Sequence, residues 1–201
     1  MELQRFVLEA NLRLLRRQLA EAGEDLRLQL RRLIAASERE LALFDAGEVG
    51  ACAPPDRCWP DLEIARNRTL DWFRGSFTDA TTPASLIDPG PGLMIVDVNP
   101  IYAAATGRTP SDIAGRPLFA AFPDRFDDPQ ANGVANLYAS LRRVAETGVS
   151  EAMPVQRYDT RDPDDGTWRK RYWRIENSAL KDEAGRLLYL LHLATEVHAR
   201  H

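Results

Sequence analysis

The sequence predicts an α+β fold in which an antiparallel sheet carries packed helices and is preceded by an all-α helical hairpin. Three observations predict it. Residues 2–46 contain no Pro and one Gly and are rich in Leu, Ala, Arg and Glu, all strong helix formers. The run from Leu93 to Val98 is apolar except for Asp97, the composition of a strand with one buried face. Segments 153–160, 167–179 and 186–197 alternate as strands do. They are separated by Asp162-Pro-Asp-Asp-Gly166 and Lys181-Asp-Glu-Ala-Gly185, both hairpin loops by composition.

Composition narrows the functional classes. A chain of 201 residues, 44% of them hydrophobic, suffices for one compact domain of ordinary size plus an appendage. The net charge of -4 gives no long-range attraction for nucleic acid or an anionic membrane, so protein or small-molecule partners are expected and nucleic acid is not. Cys52 and Cys58 stand in a Pro-rich stretch with no third or fourth metal ligand nearby, so neither a disulfide scaffold nor a zinc site is expected. No segment approaches the roughly 20 apolar residues of a membrane span. The amino terminus mixes acids and arginines at helical spacing, unlike a secretion signal, and a cytoplasmic protein is expected.

Taken in order, the chain divides at 1–46, 47–60 and 61–201. In the first part, Leu8, Leu12, Leu15, Leu19 and Ala22 form one apolar stripe and Leu26, Leu30, Leu33, Ser37, Leu41 and Phe44 a second, with Gly23-Glu24-Asp25 between them. A helical hairpin is the first choice and one bent helix the second. Eight basic residues balance eight acidic ones over 2–46, which reads as a solvated surface. Leu3, Phe6, Val7, Leu14, Leu28, Ile34 and Leu43 fall outside the stripes and need cover, which predicts a homodimer held through this coiled-coil-like element. Residues 47–60 hold two Gly and three Pro and read as a linker. Residues 61–77 return to helical spacing, and Ala84–Asp88 pairs with the Leu93 strand across Pro89-Gly90-Pro91-Gly92. Val134, Leu137, Leu141 and Val144 give one face of a helix that Gly148 ends.

The stretch after Leu93 says most. Asn99-Pro100 has the chemistry of a helix start, Thr106-Gly107 closes that short helix, and Thr109-Pro110-Ser111-Asp112 opens another that Gly115 ends. The wording Ile95-Val-Asp-Val-Asn-Pro-Ile-Tyr102, followed by Thr106-Gly-Arg108 and Asp112-Ile-Ala-Gly115, resembles the PAS family of signalling domains. Downstream segments at Phe119–Asp124, Gly133–Leu141, Gln156–Asp159, Arg171–Trp173 and Tyr189–His192 resemble a bacterial subgroup often found ahead of histidine kinases. The resemblance covers about residues 80–198 and implies a five-stranded antiparallel PAS sheet, with residues 61–77 as its flanking helix.

It also implies where a ligand would sit, between the inner sheet face and its helices. The candidate lining residues are Val96, Tyr102, Phe119, Phe122, Leu137, Leu141, Val155, Trp173, Leu191 and His192. Haem-binding relatives take the iron with a His on the longer helix, and Gly133–Thr147 has none. Flavin photoreceptor relatives use a reactive Cys in an Asn-Cys-Arg-Phe-Leu-Gln-like segment, which this chain lacks, so the resemblance implies that haem and flavin are both unlikely and leaves any cofactor unknown. Arg157, Arg169, Lys170, Arg171 and Arg174 gather on two strands, where pairing with surface acids is expected. No phosphate loop, metal-ligand cluster or nucleophile motif occurs, so no catalytic residue is assigned. The reading is a non-enzymatic sensing and protein-interaction module. Its alternatives are a receptor for a small organic ligand, or the input half of a longer histidine kinase or similar enzyme whose catalysis lies beyond residue 201.

Overall fold

The computed structural model describes residues 2–52, 61–125, 127–128, 130–162 and 165–197. Most of the expected linker, Cys58 included, lies outside them. Helices α1 (Glu2–Glu21) and α2 (Glu24–Glu48) turn at Gly23 and run antiparallel, as the ion pairs Arg5–Asp45 at 2.9 Å and Arg16–Glu38 at 2.7 Å require. The hairpin is therefore formed, and the single bent helix is not. Its packing face departs from the expected stripe: Leu26 and Leu33 are 49% and 53% exposed, while α2 buries Leu30, Ala42, Asp45 and Ala46. The face has turned because α2 packs on two partners, α1 and the sheet-covering helix α7 (Gly133–Thr147).

Helix α3 (Leu62–Phe77) lies on the outer face of the sheet, where Leu62 and Phe73 pack with Ala84, Leu86, Leu188, Tyr189 and Leu191. The strands are β1 (Ala84–Ile87), β2 (Ile95–Val98), β3 (Glu151–Ala152), β4 (Gln156–Arg157), β5 (Thr160–Arg161), β6 (Trp168–Arg169), β7 (Tyr172–Lys181) and β8 (Leu187–Glu196). Their order in the main sheet is β2-β1-β8-β7-β3, with β4 continuing the β3 edge along β7, so five strand positions are filled and every pairing is antiparallel. The expected strand 153–160 is broken. Pro154 has no N–H to give the ladder, and beyond β4 the chain leaves the sheet to pair β5 with β6 as a separate ribbon.

On the inner face sit α4 (Pro100–Ala105), α5 (Pro110–Ile113), α6 (Leu118–Ala121) and α7. Val134, Leu137, Leu141 and Val144 of α7 are all buried, in the spacing the sequence shows. Gly148 ends the helix in the left-handed conformation, its N–H reaching Val144 O at 2.8 Å. At the α5 start the Asp112 carboxylate reaches back to accept from both the Thr109 N–H and the Thr109 hydroxyl. Gly133 has a different reason to be glycine: a Cβ there would stand 2.4 Å from the Tyr158 ring, which packs over the first turn of α7.

Asn99 joins these layers. Its Oδ1 accepts from Tyr102 N at 2.9 Å, capping α4, and from Ala84 N at 3.0 Å, at the start of β1. Its Nδ2 donates to Thr82 O at 2.9 Å and to Phe77 O at 3.1 Å, at the end of α3. The side chain is buried, so each of these bonds replaces one that water cannot supply.

Asn99→Ala leaves several buried backbone groups short of a partner and should cost about 3 kcal/mol, seen as a lower urea midpoint. A loss under about 1 kcal/mol would refute the junction described here. Gly133→Ala should destabilise by roughly 1–3 kcal/mol through overpacking against Tyr158, and pairing it with Tyr158→Ala should recover part of that loss. Additive losses in the double variant would mean that the contact is not the cause.

Candidate functional site

Alternation along the strands decides what the inner face carries. In β8, Leu190, His192 and Ala194 face inward and Tyr189, Leu191 and Leu193 face α3; in β7, Trp173, Ile175 and Asn177 face inward. Under α4, α6 and α7 these side chains leave a cavity of about 40 Å³, room for about three waters. It is lined by Tyr102, Thr106, Leu118, Phe122, Leu137, Tyr158, Thr160, Trp173, Ile175, His192 and Ala194. No charged side chain faces it. Trp173 is set by Nε1 donating to Tyr158 O at 2.8 Å, and the Tyr158 hydroxyl donates to Phe122 O at 2.5 Å.

A row of polar side chains crosses the sheet at one end of this space. Ser85 of β1 pairs across to His192, and His192 across to Asn177. Asn177 Nδ2 donates to Ser140 Oγ of α7 at 2.8 Å, so its Oδ1 is the acceptor for His192 Nδ1 at 2.8 Å. That assigns the proton to Nδ1 and leaves Nε2 as an acceptor. Ser85 Oγ is fully buried and makes no close hydrogen bond, the polar group it interacts with being the Tyr102 hydroxyl. Burial pushes the His192 imidazole down to about 4, and raises the Tyr102 phenol well above its ordinary range.

Of the ten candidate lining residues, the structure brings Tyr102, Phe122, Leu137, Trp173 and His192 together around the cavity. Phe119 and Leu141 are buried in the adjoining core without reaching it. Val96 and Leu191 lie on the opposite face with α3, and Val155 is 52% exposed at the broken edge. Leu191 adjoins His192, and neighbours in a strand cannot share a face. Sequence reasoning missed Thr106, Leu118, Tyr158, Thr160, Ile175 and Ala194; Ile175 and Ala194 were within reach by counting two residues from Trp173 and His192. Of the gathered strand cations, Arg157 pairs with Asp128 and Asp159, Arg169 with Asp162 and Arg171 with Glu196.

His192 is neutral when folded and accepts a proton readily only when unfolded. Its depressed pKa therefore takes stability away as pH falls from about 6.5 to about 4, and leaves it intact above that window. The loss should amount to a few kcal/mol in urea melts. His192→Gln should flatten the dependence in that range, and an unchanged pH profile in that variant would sink the assignment.

Solved structures share this architecture. A Rhodobacter sphaeroides LOV protein superposes with a TM-score of 0.52 at 18% identity, covering 67% of this chain and 70% of that one. A light-oxygen-voltage domain studied with a flavin analogue gives a TM-score of 0.47 at 18% identity, over 66% and 86% of the two chains. An RNA-binding light-oxygen-voltage receptor gives 0.48 at 18% identity, over 91% of this chain and 47% of the other. The expectation that flavin is unlikely does not stand against such neighbours. A missing cysteine removes a thiol adduct, yet shape and hydrogen bonding alone can hold the ring. In the present packing the 40 Å³ space does not fit a three-ring group, ligand pockets being roughly 300 to 1,000 Å³, and Phe122 and Trp173 would have to withdraw to admit one. The exclusion of nucleic acid also falls, because total charge does not describe the potential of one face. No curated protein matches the sequence. The family model described as the PAS fold matches residues 82–201, the span that holds the whole sheet, α4 to α7 and the cavity, and this chain belongs to that family.

Proposed function

We propose that this PAS sensory module is non-catalytic in itself, dimerises through α1 and α2, and reports changes in its cavity by altering how those helices meet. The observation that supports this is the attachment of α2 to the sensing core. Ala42 and Ala46 of α2 belong to the same apolar cluster as Leu137 and Trp173 of the cavity wall. Arg39 of α2 donates to Asp124 at 3.1 Å and to Ala131 O at 2.5 Å, and Asp124 accepts from Val134 N in the first turn of α7. Tyr138 of α7, next to Leu137, donates to Gly50 O at 3.0 Å just past the end of α2. A shift of α7 is thus felt by α2 through apolar packing and through hydrogen bonds.

The opposite side of α2 is free to meet a second copy. Leu26, Leu33 and Leu43 are 49%, 53% and 43% exposed and fall on one heptad stripe, with Gln29, Ala36 and Glu40 between them. Leu3, Val7 and Leu14 are likewise exposed along α1. Burying each leucine is worth about 1.5–3 kcal/mol before association entropy is subtracted.

The polar row supports the non-catalytic reading. Ser85, His192 and Asn177 carry the residue types of a hydrolytic triad, but Ser85 Oγ makes no hydrogen bond to the imidazole and is sealed from solvent, so no base activates it. Among the described residues no three His, Cys, Asp or Glu side chains gather to hold a metal.

Light scattering on the full chain should give a dimer, and Leu26→Gln, Leu33→Gln and Leu43→Gln together should give a monomer of unchanged helix content. A wild-type monomer, or a triple variant that stays firmly dimeric, overturns the interface.

A further inference from the structure

Beyond Thr106, Phe122 and Thr160, which wall the cavity, lies a second space of a different kind. It is a cleft of about 210 Å³ that shares those three residues and adds Arg108, Arg116 and Arg161 at its rim. None of the three guanidiniums forms an ion pair among the described residues. One of the nearby acids is already engaged. Asp159, which lines the cleft, is gripped by Arg157 through two bonds of 3.0 and 2.5 Å, and Asp112, hydrogen-bonded by the neutral Thr109, keeps its charge within reach of Arg116 and Arg108. The rim therefore sets three guanidiniums against the one carboxylate, Asp112, that no guanidinium grips, and keeps an excess of positive charge.

Its floor is apolar. Arg108 lies over the Phe122 ring, 5.8 Å from the centroid, and Ala120 and Ala121 form the rest of the base. On the far side of Phe122 the inner cavity offers only neutral groups and ends at His192, whose Nε2 is an acceptor with no partner among the described residues. A charged rim above an apolar passage suits a molecule with one anionic end. Planar guanidiniums match the two oxygens of a carboxylate, and the apolar floor favours an anion that carries an apolar body over a bare oxyanion.

We propose that this cleft binds a small carboxylate with an apolar body, its anionic end held by Arg108, Arg116 and Arg161 and its body directed between Phe122 and Thr160 toward the inner cavity. The assignment rests on the sensory reading and supplies the class of signal. Entry of the body displaces Phe122, and so acts on the wall that Leu137 of α7 completes.

The test titrates the full-length protein with benzoate and with benzamide, its neutral counterpart, following tryptophan fluorescence and side-chain NMR shifts. Benzoate should bind about tenfold or more tightly than benzamide, and the Arg108→Gln, Arg116→Gln double variant should lose about tenfold or more in benzoate affinity. Arg116 is exposed and Arg108 is half-buried over the Phe122 ring, so the variant should lose at most a small part of its stability and keep its oligomeric state. Equal binding of benzamide, displacement of benzoate by inorganic phosphate at matched concentration, or undiminished affinity in the double variant would each overturn the proposal. Absence of benzoate binding while light scattering still finds the α1–α2 dimer would remove the carboxylate assignment and leave the sensory reading in place.

Discussion

The amide of Asn99 is the constraint on which the arrangement of layers depends. Four bonds from one buried side chain join the end of α3, the loop before β1, the start of β1 and the first turn of α4. These elements lie on both faces of the sheet, so the outer helix and the cavity-forming helices share a single reference point. Only a planar group with two donors and an acceptor of two lone pairs can serve all four at once. An aspartate offers no donor, and a serine is too short. Each junction alone is an ordinary cap or loop bond, worth about 1 kcal/mol. Made through one side chain, they fix the relative placement of elements that no continuous hydrophobic stripe connects.

The row Ser85, His192, Asn177 and Ser140 plays the corresponding part within the inner face. Apolar side chains such as Leu137 and Ile175 favour burial but tolerate sliding, because dispersion contacts are non-directional. The hydrogen bond from Asn177 to Ser140 holds α7 at one rotation over the sheet, and the imidazole holds the Asn177 amide in turn. The arrangement costs His192 its charge and leaves Ser85 with no close hydrogen bond, only the Tyr102 hydroxyl beside it. Such a cost is commonly met where a site must keep a defined shape without being filled.

Much of this fold was legible in the sequence because it follows from local chemistry. The caps at Asn99 and Thr109, the buried stripe of α7 and the alternation at the start of β7 need only near neighbours, and each has its expected form, whereas β8 is buried on both faces. What stayed hidden depends on distant segments. Nothing in Ala42, Asp45 and Ala46 announces a packing face, since two are small and one is charged; they are buried because α7 approaches closely and Arg5 neutralises Asp45. Trp168 and Arg169 were read into one strand with β7, though tertiary pairing with Thr160 and Arg161 draws them into a separate ribbon. The ten pocket candidates were chosen by size and apolarity, which finds cores but does not separate the faces of a strand. The arginine cleft draws on three segments spanning Arg108 to Arg161, and only folding assembles it.

The attachment of α2 at two points gives the proposed output a mechanical form. Near its C-terminal end the helix is pinned to the β1–β2 turn: Gly92 N donates to Ala46 O at 2.8 Å and Ala51 N to Pro89 O at 2.8 Å. Gly50, at φ +75, has to be glycine there, since a Cβ would lie 2.2 Å from Gly90 O, and a contact this tight leaves little room to slide. The second attachment, at Arg39, follows α7 through Asp124. A helix pinned at one place and pushed at another pivots. Seven residues separate Ala46 from Arg39 and twenty separate Ala46 from Leu26, at about 1.5 Å of rise each. If the helix pivots as proposed, a displacement of α7 would be multiplied about threefold by the time it reached Leu26. Exposed leucines lie along that outer arm, so the largest motion would fall where a second copy is proposed to meet the helix, and a cavity too small to rearrange the sheet could still alter that proposed seam.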